Sequence, residues 1–194
     1  MTDVSARRGA EEQAKRRLWF DARTGLASRA IFEDRLAFVL DHGRLTGYRC
    51  AVLWVDIDNF GEINARFGRD FGDRVLTQMA RRFKVVQGPG ATVARVGGDE
   101  FAMLVTDFRV AGASEALPEG REVSQAVSRL AEHVTRALGE LLRIEGRELS
   151  LSASIGIAVQ QESHVSADAL LQDARRAATA ARAAGAGQWR LADD

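Results

Sequence analysis

The chain has 194 residues, 46% of them hydrophobic and 28% charged, and its 27 Lys and Arg are balanced by 27 Asp and Glu. That length supports one domain with a sizeable core and a short appendage, and the composition is that of a soluble globular protein. Zero net charge argues against a broad surface for nucleic acid or an anionic membrane, no apolar run has membrane-spanning length, and a local phosphate site stays open. Residues 5 to 20 read as a charged linker helix, with Glu11 and Lys15, and Glu12 and Arg16, in i,i+4 order. Leu18, Trp19 and Phe20 end it as an apolar cluster, which fits either a docked solvated helix or the output linker of an upstream sensory domain. The domain proper is expected over 21 to 194.

Asp21-Ala-Arg-Thr-Gly-Leu is a turn, followed by a helix over 28–41 with Ile31, Phe32, Leu36, Phe38 and Val39 as apolar positions. Arg49 to Ile57 is the first strand, and its unbroken run from Ala51 to Val55 predicts burial on both faces. A helical turn, Phe60 to Asn64, precedes a helix from Asp70 to Val85 with Phe71, Val75, Leu76, Met79 and Phe83 on one face. After the loop Gln87-Gly-Pro-Gly, Thr92 to Thr106 reads as a β-hairpin. Its strands, 92–96 and 100–106, flank Gly97-Gly98-Asp99-Glu100, where glycine would supply the positive φ of a tight turn. Phe108 to Gly120 is a loop, and 121–139 a helix carrying Val123, Val127, Leu130, Val134 and Leu138. Leu141 to Ile144 and Leu149 onward pair about Glu145-Gly146. Alternation from Leu149 to Val159 predicts one half-buried strand with its serines on the outer face. Ser166 caps a helix through Ala184 with a thin alanine face.

The order β-α-β-β-α-β-α is an α+β, ferredoxin-like pattern, a palm-like sheet with surrounding helices. Its first two strands run parallel, joined by a right-handed helical crossover, and finish at the same sheet edge. Asp56 and Asp99 should therefore lie side by side. Adjacent carboxylates repel unless one is protonated or a cation sits between them. Two carboxylates plus substrate phosphates suit Mg²⁺, or Mn²⁺ in its place. Other chemistries lack support: there is no Gly-x-x-x-x-Gly-Lys-Ser/Thr loop, and His42, His133 and His164 have no zinc spacing. The lone Cys50 excludes an internal disulfide, fits a reducing cytoplasm, and has no evident His partner for a nucleophilic role.

These residues also match a known family. Arg95-Val-Gly97-Gly98-Asp99-Glu100-Phe101 resembles the signature of GGDEF domains, the diguanylate cyclases. The stretch from Asp56-Ile-Asp58-Asn-Phe60 through Asn64 and Gly68 to Gly72-Asp73 resembles that family's second motif. Asp21-x-x-Thr24-Gly25-Leu26 with Arg29 resembles its opening motif, and Ser154-Ile-Gly-Ile-Ala158 its last strand. The resemblance implies condensation of two GTP into cyclic di-GMP with release of pyrophosphate, in a homodimer whose domains meet face to face. It implies that Asp56, the Ile57 carbonyl and Asp99 hold Mg²⁺ and that Asp99 and Glu100 act at the attacking 3′-hydroxyl. It assigns guanine to Asn64 and Asp73, and phosphate contacts to the Phe60–Gly61 turn, Gly97, Gly98 and Arg182.

The departures are specific. Gly61 stands where the family has a phosphate-binding lysine, Ala65 replaces an aspartate and Arg69 a histidine. Near the last helix Ala181-Arg182-Ala-Ala-Gly185-Ala186-Gly187 keeps one cation and loses a second at Ala186. The family's inhibitory Arg-x-x-Asp falls on Gly88-Pro-Gly-Ala91, so an inhibitory product site is not expected. The intact acids favour an active cyclase. Gly61 and Ala186 favour a weakened domain that binds GTP and regulates a partner, and a different nucleotidyl transfer on a similar sheet is the third possibility.

Overall fold

The apolar run before Asp56 becomes the middle of a mixed sheet. The computed structural model describes residues 18–46, 49–106, 120–161, 163–164 and 166–192. In chain order its elements are β1 (Ala27–Ser28), α1 (Arg29–Thr46), β2 (Ala51–Ile57), α2 (Phe60–Phe67), α3 (Arg69–Val86), β3 (Thr92–Arg95) and β4 (Glu100–Val105). There follow α4 (Gly120–Gly139), β5 (Leu142–Ile144), β6 (Arg147–Leu149), β7 (Ala153–Val159), α5 (Ala167–Ala184) and β8 (Trp189–Leu191). The predicted linker helix and the loop after Phe108 fall almost wholly outside the described residues.

Six strands pair in the order β1-β3-β4-β2-β7-β8, and β5 and β6 form a separate hairpin. β2 is antiparallel to both neighbours, β4 and β7, and β4 is antiparallel to β3. So β2 and β3 run the same way with the return strand of the hairpin between them, and both end at one edge, as the order of elements predicts. Every β2 residue except Asp56 is buried. On one face Val52, Trp54, Ala102, Leu104 and Ala158 pack beneath α1 and α5. On the other, Leu53, Val55, Phe101, Met103, Ile155 and Ile157 pack beneath α3 and α4. Strand alternation places Asp56 and Glu100 on the α1/α5 side.

Three expectations need correction. Leu149 to Val159 is not one half-buried strand: β6 stops at Leu149, β7 starts at Ala153, and Ser154 and Ala158 on the supposed outer face are 0% and 1% exposed. The cause is α5. A Cβ at Gly156 would lie 2.0 Å from the Ala174 carbonyl oxygen, so the alanine face of α5 rests on bare backbone. The Gly97-Gly98 turn is not a positive-φ turn either; neither glycine has positive φ, and four residues, Val96 to Asp99, connect the strands. A Cβ at Gly97 would sit 2.3 Å from Glu100 Oε2, so a side chain there would displace the Glu100 carboxylate. The sheet also has two further edge strands, β1 parallel to β3 and β8 parallel to β7. The turn about Glu145-Gly146 forms as expected, with φ of 52° and 75°.

Candidate active site

Two turns and one helix end meet where β2 and β3 finish. Asp56 lies opposite Glu100 on β4 and Ser154 on β7. The Ile57 N–H donates to the Asp99 carbonyl at 3.3 Å, so the expected meeting of Asp56 with the hairpin turn occurs through the backbone. Arg95 secures the turn from behind: Nη2 donates to the Gly98 carbonyl at 2.6 Å, and Nη1 to both Asp21 oxygens at 3.3 Å. Asp21 also accepts from the Thr24 N–H at 2.8 Å and the Thr24 hydroxyl at 2.7 Å. Burial acts to raise the Asp21 pKa, but the Thr24 bonds and Arg95 outweigh it and hold the carboxyl below its usual range. The opening motif is thus a brace for the hairpin turn.

Asp56 has the opposite electrostatics. Burial pushes its carboxyl above the usual range, Arg182 opposes this, and the charges of Asp99 and Glu100 add to it. Arg182, in the last turn of α5, places Nη2 2.5 Å from Asp56 Oδ1 and donates to the Ile57 carbonyl at 3.2 Å. That ion pair apart, Asp56 Oδ1 is buried without a well-aligned donor. Glu100 Oε1 faces Arg175 Nη2 at 3.5 Å, and Arg175 lies 5.6 Å from the Trp54 ring centroid. No three His, Cys, Asp or Glu side chains converge as a metal group among the described residues. A divalent cation could use Asp56, the Ile57 carbonyl and Asp99 with oxygens from a bound phosphate, a set with open positions that Mg²⁺ favours. The donor-poor Asp56 oxygen suits that role.

Asp58, close by in sequence, does different work. It accepts from Ser152 Oγ and Ser154 Oγ at 2.6 Å each and from the Gly187 N–H at 2.8 Å. It is 6% exposed and ties the turn after β2 to the start of β7 and to the loop after α5. The sequence pairs it with Asp56 as an acidic cluster but carries no sign of these three partners. Asp58→Ala is expected to cost about 3 kcal/mol or more, because it leaves buried donors unpaired. Urea unfolding checks this, and a loss below about 0.5 kcal/mol, the surface-substitution range, would contradict the brace.

Asn59 follows in left-handed backbone, φ 55°, and starts α2. The first N–H groups of a helix lack intrahelical partners, so those of Phe60 and Gly61 are available to an anion. The Phe60 side chain is core, 8% exposed, while a side chain at Gly61 would meet nothing within 4 Å. On α2 and α3, Asn64 and Asp73 mark the expected guanine site. Gly72 makes room for Asn64, since a Cβ there would fall 1.9 Å from its Oδ1. Asp73 is engaged by Arg23 from the opening turn, a partner that sequence reading does not reveal. A cavity of about 480 Å³ lies on another side of α2, walled by Arg66, Phe67 and Arg147, and includes none of Asp56, Asp73 or Asp99. Of the inhibitory-site positions, Gly88 and Ala91 sit in the turn between α3 and β3, with Ala91 N–H donating to the Gly88 carbonyl.

Comparison with known proteins identifies the family and the fold. The family model described as diguanylate cyclase, GGDEF domain, matches residues 18–188. Diguanylate cyclase TpbB of Pseudomonas aeruginosa is 36% identical over 174 residues, which are 89% of this chain and 37% of that protein. Cyclic di-GMP phosphodiesterase PdeB of Shewanella oneidensis is 31% identical over 195 residues, covering 100% of this chain and 21% of that protein. The chain therefore spans between about a fifth and two fifths of the length of these relatives. Among solved structures, the GGDEF domain of TpbB from Pseudomonas aeruginosa superposes with a TM-score of 0.77 at 34% identity, covering 89% of this chain and 94% of that one. The model match takes in most of the chain, which belongs to the diguanylate cyclase GGDEF domain family.

Proposed function

We propose that this domain is a Mg²⁺- or Mn²⁺-dependent diguanylate cyclase that condenses two GTP into cyclic di-GMP and two pyrophosphates between two facing copies. The observation that carries this reading is the end of β2, where Asp56 lies opposite Glu100 and the Ile57 N–H bonds the Asp99 carbonyl, beside the open position of Gly61 at the start of α2. Each copy would hold one GTP. Asn64 and Asp73 would bind the guanine edge, Asp73 exchanging Arg23 for guanine N1–H and the 2-amino group. The N–H groups of Phe60 and Gly61, the Gly97-Gly98 turn and Arg182 would hold the phosphates. A divalent metal held by Asp56, the Ile57 carbonyl and Asp99 would supply charge neutralisation for the reacting phosphates. Asp99 and Glu100 would orient the 3′-hydroxyl and accept its proton. The 3′-oxygen then bonds to the α-phosphorus of the facing GTP while the bond to the β-phosphate oxygen breaks; the step occurs twice to close the ring.

Two half-sites must meet, so specific activity should rise with protein concentration until dimers saturate. Activity measured across the monomer–dimer transition checks this, and a flat profile would exclude the facing arrangement. The exposed Leu18, Trp19 and Phe20 end the segment expected to bring copies together or to relay an upstream sensory signal. No helix among the described residues is long and apolar enough to cross a membrane, and we place the domain in the cytoplasm with its GTP.

Gly88 and Ala91 offer neither the cation nor the carboxylate of the family's inhibitory site. Losing one charge-assisted contact typically costs about 1.5–3 kcal/mol. Inhibition by cyclic di-GMP is therefore expected to be competitive with GTP. Initial rates against product at several GTP concentrations test it, and inhibition that survives saturating GTP would reveal a separate site.

A second reading rests on Gly61 and Ala186 and on the phosphodiesterase name of PdeB. In it the domain binds GTP and regulates a neighbouring domain with little turnover of its own.

A further inference from the structure

The metal reading leaves one contact unexplained. Arg182 is assigned to phosphate by resemblance, yet its guanidinium sits 2.5 Å from Asp56 Oδ1 and bonds the Ile57 carbonyl at 3.2 Å, with Nε 3.6 Å from Asp58 Oδ1. The first two of these oxygens are metal ligands in the proposed function. We infer that Arg182 is an internal counter-cation, which holds the metal ligands in the substrate-free domain and leaves them for the substrate phosphates when metal and GTP enter together. The inference rests on the cyclase reading.

The surroundings fit such an exchange. Asp56 is half-buried and lies near Asp99 and Glu100, so its charge needs a partner whenever the metal is away. Arg175, on the same helix, faces Glu100 at 3.5 Å and the Trp54 ring, and makes no ion pair with Asp56. The backbone beyond α5 is fixed by Gly185 N–H to the Arg182 carbonyl and by Gly187 N–H to Asp58, so the helix end need not move. Only the side chain must swing, and it is 45% exposed. A divalent cation held by Asp56 and the Ile57 carbonyl would compete with the guanidinium for the same two oxygens, and the two like charges would repel. The triphosphate offers Arg182 a new anion at that moment. Gly61 and Ala186 lack the family's other two phosphate cations, which makes the move of Arg182 more consequential here. Metal and nucleotide should then bind cooperatively, each helping the other by the same factor.

The test is Mn²⁺ binding followed by electron paramagnetic resonance, on wild type, Arg182→Gln, Arg182→Lys and Asp56→Asn. Without nucleotide, Arg182→Gln is expected to bind Mn²⁺ about tenfold more tightly than wild type, Arg182→Lys less than that, and Asp56→Asn not measurably. With a non-hydrolysable GTP analogue the advantage of Arg182→Gln should vanish or reverse. Equal or weaker Mn²⁺ binding by Arg182→Gln without nucleotide would overturn the inference while leaving the metal site standing. Absence of Mn²⁺ binding by wild type even with the analogue would overturn the metal reading and the inference with it. Nuclear magnetic resonance of the wild-type Arg182 Nε–H gives a check that needs no altered fold. It should shift on addition of Mg²⁺ with the analogue, and an unmoved signal in the loaded domain would contradict the exchange.

Discussion

Asp56→Ala and Asp99→Ala are each expected to abolish cyclic di-GMP formation, lowering turnover by about a thousandfold or more. The fold should survive both changes. Asp56 is the penultimate residue of a strand whose other residues are buried apolar positions, and burial raises its carboxyl above the usual range. Its raised pKa makes a further expectation with a definite sign. A carboxyl whose folded-state pKa lies above its unfolded value contributes stability below the unfolded value, and that contribution is lost as pH rises through the folded one. At neutral pH the charged Asp56 therefore works against the metal-free fold. Asp56→Asn should raise metal-free stability at pH 7, and the gain should shrink as pH falls into the ordinary carboxylate range. Thermal unfolding of the two proteins across that range measures it. Full activity in either alanine variant would remove the residue from the site, and a loss of metal-free stability in Asp56→Asn would contradict the electrostatic account.

Asp73→Ser is expected to collapse base selectivity. A carboxylate can accept from guanine N1–H and the 2-amino group, and adenine presents neither. Sites built to satisfy such partners can discriminate by on the order of ten-thousandfold. Asp73 is anchored at its backbone by Thr77, whose hydroxyl donates to the Asp73 carbonyl at 2.9 Å, so the substitution alters the edge contact and leaves α3 in place. Its ion pair with Arg23 is partly exposed, and pairs of that kind are worth little, so a base can displace Arg23 at small cost. The ratio of kcat/KM for GTP and ATP, in wild type and variant, checks the prediction. Unchanged selectivity would show that the base is read elsewhere.

The run from Ala51 to Val55 marks the central strand because burial on both faces leaves no polar position to confuse the period. Chain order then places Asp56 beside Asp99, since parallel strands with a helical crossover must end together. β1 and β8, two and three residues long, are too short to carry a period and exist only because a neighbouring strand offers unpaired backbone. Leu149 to Val159 alternates as a half-buried strand would, but the outer face is covered by α5, an event that depends on where a distant helix lands. Gly97 is recognisable as a glycine position, whereas its closeness to the Glu100 carboxylate is a side-chain contact. The same limit applies at the site. The acids are visible as a pattern, while the three arginines that meet them, Arg23 on Asp73, Arg175 on Glu100 and Arg182 on Asp56, come from elements far away in the chain. Asp58 is the sharpest case, because its neighbour Asp56 has the same side chain and a different task.

Gly61 bears on how active the domain is. Its position is open, so the missing lysine is a lost charge and not a steric accommodation. If the remaining groups suffice, the domain turns over GTP without it. The most direct measurement is incubation of the purified chain with GTP and Mg²⁺ at concentrations that favour dimers, with products resolved by chromatography and mass. The account predicts cyclic di-GMP and two equivalents of pyrophosphate, both absent when Asp99→Ala is used. GTP that binds and is recovered unchanged at every protein concentration would contradict the cyclase and leave the regulatory reading in its place.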